Sequence, residues 1–188
     1  PEGSVVGVDC CDAFLEHARA EVQARNLTNV RFARADAEIA LPLDQFDFVF
    51  ARFGTMFFAN PVAGLRNMRK ALRPGGRMVH IVWRDRADNP WLSMAKDVVL
   101  RYLPAPGADA QTCGPGPFSM ASESVVRAMM TAAGYGEIEF QRVDAPVLVG
   151  KDVNDAIAFQ LAIGPAGEVF REAGDRATEM REQIEGAL

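Results

Sequence analysis

The run Val5 to Val8, preceded by Gly3-Ser4 and closed by Asp9, constrains this chain more than any other feature. A short, continuous apolar run between turn signals predicts a strand buried on both faces, and such strands belong to parallel sheets. The pattern returns at Val30 to Ala35, at Phe46 to Ala51 ("FDFVFA") and at Met78 to Trp83. Helical periodicity lies between these runs. Asp12 is placed to cap a helix in which Phe14, Leu15, Ala18 and Val22 recur until Asn26. Asn60-Pro61 opens a second helix, with Asn as N-cap and Pro at the first helical position, and Val62, Leu65, Met68 and Leu72 mark its buried face. It stops at "RPGG", Arg73 to Gly76, since Gly ends helices and the residue before Pro avoids helical backbone. "ADAEIALP" and Arg52 to Asn60 read as the loops after the second and third strands. Strands alternating with helices through short loops imply right-handed crossovers between parallel strands, hence an α/β fold.

After Trp83 the pattern changes. A helix is predicted from about Pro90 to Leu103, followed by a loop rich in Pro, Gly and Ala to Phe118. Ser122 caps a helix to Ala133, which Gly134 stops. Gly136 to Val143 alternates as a strand would, and helices follow near Val153 to Ile163 and Ala166 to Gly186. No internal repeat or low-complexity tract interrupts this order. The whole of 1–188 is expected to form one domain.

Composition excludes several classes of partner. A net charge of -5 argues against a nucleic-acid surface, which needs clustered Lys and Arg. Arg66, Arg69, Lys70 and Arg73 fall at helical spacing and read as a solvated helix face. No run approaches the roughly 18 apolar residues of a membrane span, and the opening residues do not read as a signal peptide. Cys10, Cys11 and Cys113 match neither a zinc-ligand spacing nor a disulfide framework, and no metal is expected. Free thiols point to a reducing, cytoplasmic setting.

Two acids carry the chemistry. Asp9 ends the first strand, and in open parallel sheets ligands bind outside the strand tips, where a carboxylate accepts from both hydroxyls of a ribose. The plainer reading of Asp9 is a turn or helix cap. One strand later, in "RADAE" (Arg34 to Glu38), Asp36 is placed to accept from an adenine amino group while the next backbone N–H reaches a ring nitrogen. Its plainer reading is a turn-forming Asp. Two acids ending successive strands are more informative together than either alone.

The segment "ARFGTMFFANPVAGLRNMRKALRPGGRMVHIVW", Ala51 to Trp83, together with "VVGVD" and "FARADAEIALP…FDFVF", resembles the class I S-adenosylmethionine-dependent methyltransferases of the ubiquinone/menaquinone-biosynthesis type. The resemblance is strong to about Trp83 and weaker through "NPW", "GPGPFSM" and "AAGYGEIEF". It implies a Rossmann-like, doubly wound, mostly parallel sheet. It divides the chain into a cofactor-binding core (1–83) and substrate-side helices, loop and strand (84–188). It implies S-adenosylmethionine as cofactor, with Asp9 on the ribose, Cys10 beside the adenine, and Asp36 and Ala37 reading the adenine. Arg52 and Phe53 then line the cofactor below the methyl-transfer site.

In that family a strand and a G-x-G-x-G loop precede the "VVGVD" strand, and no such sequence occurs here. A last strand would also follow the polar C-terminal helix. The resemblance therefore implies an internal fragment with an incomplete sheet, in which the Val5 and Phe48 strands each lose a partner and expose an edge. A second copy of the chain covering that gap, as a homodimer, is one remedy.

The remaining candidates concern the acceptor. Met56, Trp83, Trp91 and Phe118, with Phe57 and Phe58, are candidates to wall an apolar pocket for a small organic substrate, or else are ordinary core residues. His80, inside "MVHIVW", reads first as a satisfied core histidine and second as a general base. His17 reads as solvated. Methyl transfer to a small organic acceptor is the leading reading. A nicotinamide-dependent dehydrogenase and a non-catalytic methyltransferase-like module that binds a partner or dimerises are the alternatives.

Overall fold

Val5, Val6 and Val8, stiff at χ1 and suited to extended backbone, form strand β1 (Val5–Asp9) in the computed structural model of the chain, which describes residues 3–41, 46–107 and 114–188. Helix α1 (Asp12–Ala24) crosses back to β2 (Val30–Arg34), and the two strands pair in parallel, Val5 opposite Val30 and Asp9 opposite Arg34. Gly7 faces Phe32 in this register, and a Cβ on Gly7 would lie 2.5 Å from the Phe32 ring. The glycine inside the strand is there because its neighbour's ring occupies that space.

β3 (Phe46–Arg52) pairs in parallel with β4 (Leu72–Ile81), and helix α2 (Pro61–Ala71) connects them. Asn60 caps α2 as its sequence implies, its Oδ1 accepting the Ala63 N–H at 3.1 Å. Leu65 and Met68 are buried while Arg66, Arg69, Lys70 and Arg73 are exposed. Helix α4 (Glu123–Ala133) packs on α2, held by Arg66 donating to the Ala132 carbonyl at 2.9 Å and Tyr135 Oη donating to the Leu65 carbonyl at 3.1 Å.

The two parallel pairs are separate two-stranded sheets among the described residues, so the Rossmann-like α/β layer has β1 and β3 each with an edge that no described strand covers. Val5, Phe48 and Phe50 are more than half exposed there. Strands β1–β4 with residues 122–139 make one compact unit, and residues 83–121 with 140–188 make a second, so the change of pattern at Trp83 coincides with a unit boundary.

The second unit is helical. α3 (Pro90–Val99), α5 (Val153–Ala162), α6 (Gly164–Glu172) and α7 (Asp175–Ala187) enclose Ala95, Val99, Leu161, Ala166, Val169 and Ile184. Each fully buried Val, Leu or Ile side chain is worth roughly 1.5–3 kcal/mol. An exposed network ties residue 84 to the later segment: Arg84 pairs with both Asp88 and Asp144 at 3.0 Å, and Arg142 pairs with Asp144 at 2.7 Å.

Several sequence expectations are corrected. Asp12 lies inside α1, whose N-cap is Cys11. "RPGG" is no loop before the strand: β4 begins at Leu72 and bulges, with Phe46 opposite Leu72 but Phe48 opposite Arg77, and ends at Ile81, short of Trp83. Gly75 at φ +78° and the Arg73–Asp47 ion pair at 2.6 Å accommodate the extra residues. The helix predicted to Leu103 ends at Val99 and continues only as turns. Gly136 to Val143 forms no strand, since alternation needs a pairing partner and the Ile138 carbonyl is taken by Arg127 at 2.8 Å. The single helix over Ala166 to Gly186 is two, broken at Gly174, whose φ of +54° no helix accommodates. Cys113 and the middle of the Leu103–Phe118 loop lie outside the described residues.

Candidate functional site

The parallel pairing of β1 and β2 places Asp9 and the Asp36 segment at neighbouring strand tips. The Ala35 N–H donates to the Asp9 carbonyl at 3.1 Å, extending the ladder one residue past the end of β2. The plainer reading of each acid holds for one oxygen. Asp9 Oδ1 accepts the Cys11 N–H at 2.8 Å, and Asp36 Oδ1 accepts the Glu38 N–H at 2.8 Å. These Asx-type turns fix both carboxylates at the tips, where Asp9 is half-buried and Asp36 exposed. Cys10, between Asp9 and the helix, is an exposed free thiol. Its carbonyl accepts from Arg34 Nε at 3.4 Å, and the same guanidinium pairs with Asp12 at 3.3 Å. Ala37 is half-buried beside Asp36.

Asn67 was not legible as a site residue, yet it sets this loop. Its side-chain amide donates to the carbonyls of Ala37 at 3.0 Å and Glu38 at 3.1 Å. Glu38 Oε1 in turn accepts the N–H of Asn60, the α2 cap. The one sequence signal was an Asn within a helix, where its side chain competes with helical backbone and is usually employed elsewhere.

The turn after β3 holds the second group. Phe53 has φ +59°, a left-handed conformation that costs a non-glycine residue roughly 1–3 kcal/mol. Its N–H donates to the Ile81 carbonyl at 2.9 Å, and the Arg52 guanidinium lies 5.1 Å from the centre of its ring. Thr55 and Met56 follow in a single 3-10 turn, each only 1% exposed. Met56 is thus buried in this turn, as the core reading expects.

His80 on β4 lies opposite Ala51, and its Nδ1 is 3.2 Å from Thr55 Oγ1. Burial lowers its pKa from the ordinary value, which keeps the ring neutral at physiological pH. The imidazole is thus half-buried and hydrogen-bonded in its strand. Thr55, a partner the sequence did not single out, completes the pair.

Trp83, Trp91 and Phe118 belong to the second unit. The two indoles meet edge to face, 5.5 Å between ring centres, and Gln160 donates to the Trp91 carbonyl at 3.0 Å. The Arg86 guanidinium lies 5.3 Å from the Phe118 ring centre. Among the described residues no group of three or more His, Cys, Asp or Glu is arranged to hold a metal. No described helix is long and apolar enough to cross a membrane.

Residues 2–80 match the sequence model of a family described as a methyltransferase domain. The chain is 30% identical over 159 residues to the ubiquinone/menaquinone biosynthesis C-methyltransferase UbiE of Idiomarina loihiensis, covering 78% of this chain and 62% of that protein. It is 27% identical over 163 residues to the protein of the same name from Pseudomonas putida strain F1, covering 79% of this chain and 61% of that one. It thus spans about three-fifths of the length of these relatives. The solved structure of the YcgJ protein of Bacillus subtilis shares its fold, with a TM-score of 0.58 over 96% of this chain and 65% of that one at 20% identity. The likeness to methyltransferases read from "VVGVD", "RADAE" and the Ala51 to Trp83 segment is borne out.

Proposed function

We propose, from the premise that residues 2–80 carry a methyltransferase domain sequence, that this protein transfers a methyl group from S-adenosylmethionine to a small organic acceptor. The observation that carries the reading is the placement of Asp9 and Asp36 on the adjacent tips of two paired parallel strands. Carboxylates so placed suit the two polar ends of an adenosine. The donor set fits: each acid is fixed through Oδ1 by a backbone N–H, which leaves its carboxylate anchored with acceptor capacity to spare.

In this reading Asp9 accepts from the ribose hydroxyls and Asp36 from the adenine amino group. The Ala37 N–H meets a ring nitrogen, and Cys10 packs beside the base. Arg52 and Phe53 line the same cofactor towards the methyl. When bound, the cofactor supplies a methyl group activated by its sulfonium. The protein's share is to hold the acceptor's nucleophilic atom in line with that methyl and to exclude water, and positioning of this kind supplies much of a barrier reduction. No base is assigned: the Nδ1 of His80 is engaged by Thr55, and burial makes the ring a weaker base than an exposed imidazole.

The relatives' names make carbon atoms of quinone precursors the first acceptors to assay. Trp83, Trp91 and Phe118 are the aromatic candidates for the acceptor side. The test is incubation of the protein with radiolabelled S-adenosylmethionine and a panel of such acceptors. Label in the organic product supports the reading, and none from a folded protein that also fails to bind S-adenosylhomocysteine overturns it. Light scattering on the same sample decides between a monomer and a homodimer.

A further inference from the structure

We propose that His80 is a positioning residue: through Thr55 it holds the left-handed turn at Phe53 in the shape the cofactor side of the site requires. The inference rests on the reading above, in which Phe53 lines the cofactor. A strained non-glycine turn persists only where its surroundings over-determine it, and such turns cluster at ligand sites. Two restraints on the turn come from consecutive residues of β4. Ile81 accepts the Phe53 N–H at 2.9 Å, and His80 bonds Thr55, two residues further along the turn, at 3.2 Å. One strand end therefore holds both the strained residue and the turn that follows it. Thr55 is 1% exposed, so water does not readily replace the imidazole if it is lost. Met56, equally buried, roots the turn in the core.

The test uses two readouts on Thr55→Val, which keeps the shape and removes the hydroxyl, and Thr55→Ser, which restores the hydroxyl. The first is the Phe53 backbone conformation by NMR, from its Cα and Cβ shifts and amide coupling. The second is the affinity for S-adenosylhomocysteine by calorimetry. Thr55→Val is expected to move Phe53 away from left-handed shifts and to weaken binding about tenfold, as loss of one buried hydrogen bond does. Thr55→Ser is expected to recover both. A folded Thr55→Val protein with unchanged Phe53 signals, or with moved signals but unchanged affinity, overturns the proposal. If the unaltered protein binds no S-adenosylhomocysteine, the methyltransferase reading fails, and the Phe53 signals alone still decide whether His80 and Thr55 hold the turn. Should Thr55→Val not fold, His80→Leu, which removes the ring nitrogen that meets Thr55, takes its place. Displaced Phe53 signals then support the proposal and wild-type ones overturn it.

Discussion

Asn67, on the helix between β3 and β4, donates its amide to the carbonyl of Ala37, the residue after Asp36, at 3.0 Å. This bond joins the β1–β2 pair to the β3–β4 pair, which share no ladder among the described residues, and it does so at the strand tips where the candidate nucleoside site lies. Asn67→Ala strands the Ala37 and Glu38 carbonyls. It is expected to cost about 1–2 kcal/mol in urea unfolding and to weaken S-adenosylhomocysteine binding by loosening Asp36. Asn67→Asp is expected to be worse, since it turns a carboxylate towards two carbonyl oxygens. Equal stability in all three proteins would remove Asn67 from the site.

Asp9 has a turn role and a proposed ligand role, and one substitution separates them. Asp9→Asn keeps an Oδ1 acceptor for the Cys11 N–H. Its stability should therefore stay within about 0.5 kcal/mol of wild type. Its amide accepts fewer hydroxyl hydrogen bonds and carries no charge, so nucleoside affinity is expected to fall roughly 10- to 100-fold, the worth of a charge-assisted bond. Calorimetry and thermal melting on the same sample check both halves.

His80 sets a pH dependence with a definite sign. Its folded pKa lies below the unfolded value of 6.5 because burial disfavours the charged ring. The unfolded state therefore binds the extra proton first as pH falls. The histidine's contribution is whole above pH 6.5 and declines below it, until the folded ring also protonates. His80→Asn is expected to flatten the part of the stability curve that falls away below pH 6.5, read as urea midpoints at a series of pH values.

Tyr135 gives the opposite edge. Burial raises its pKa above the ordinary 10.0, and its hydroxyl donates to Leu65 at 3.1 Å. Its contribution is whole below pH 10 and is lost as the pH climbs towards its folded pKa. Tyr135→Phe is expected to cost about 1 kcal/mol near neutrality and to remove that alkaline loss, both read by denaturant melts.

The parallel strands and the two tip acids were legible because each is written locally. Apolar runs close on Asp9 and before Asp36, and the Asn60-Pro61 start of α2 is a short-range signal. The misses share a physical cause. The strand expected at Gly136 to Val143 needs a partner that periodicity does not reveal. The bulge at Arg73 to Gly76 depends on the register with Phe46 and Phe48. Thr55 was not read at all, because burial to 1% is a property of the packed turn and not of "RFGTM". Asn67 acts on Ala37 across 30 residues of sequence, a distance over which no local pattern speaks.

The most direct measurement is a calorimetric titration of S-adenosylhomocysteine into the protein, as these 188 residues and with whatever flanking sequence its gene encodes, each beside its Asp9→Ala form. Saturable binding that weakens by at least about tenfold on loss of the Asp9 carboxylate is the predicted result. A folded protein that binds nothing in either length, or binds equally well without Asp9, would contradict a nucleoside site at the tips of β1 and β2.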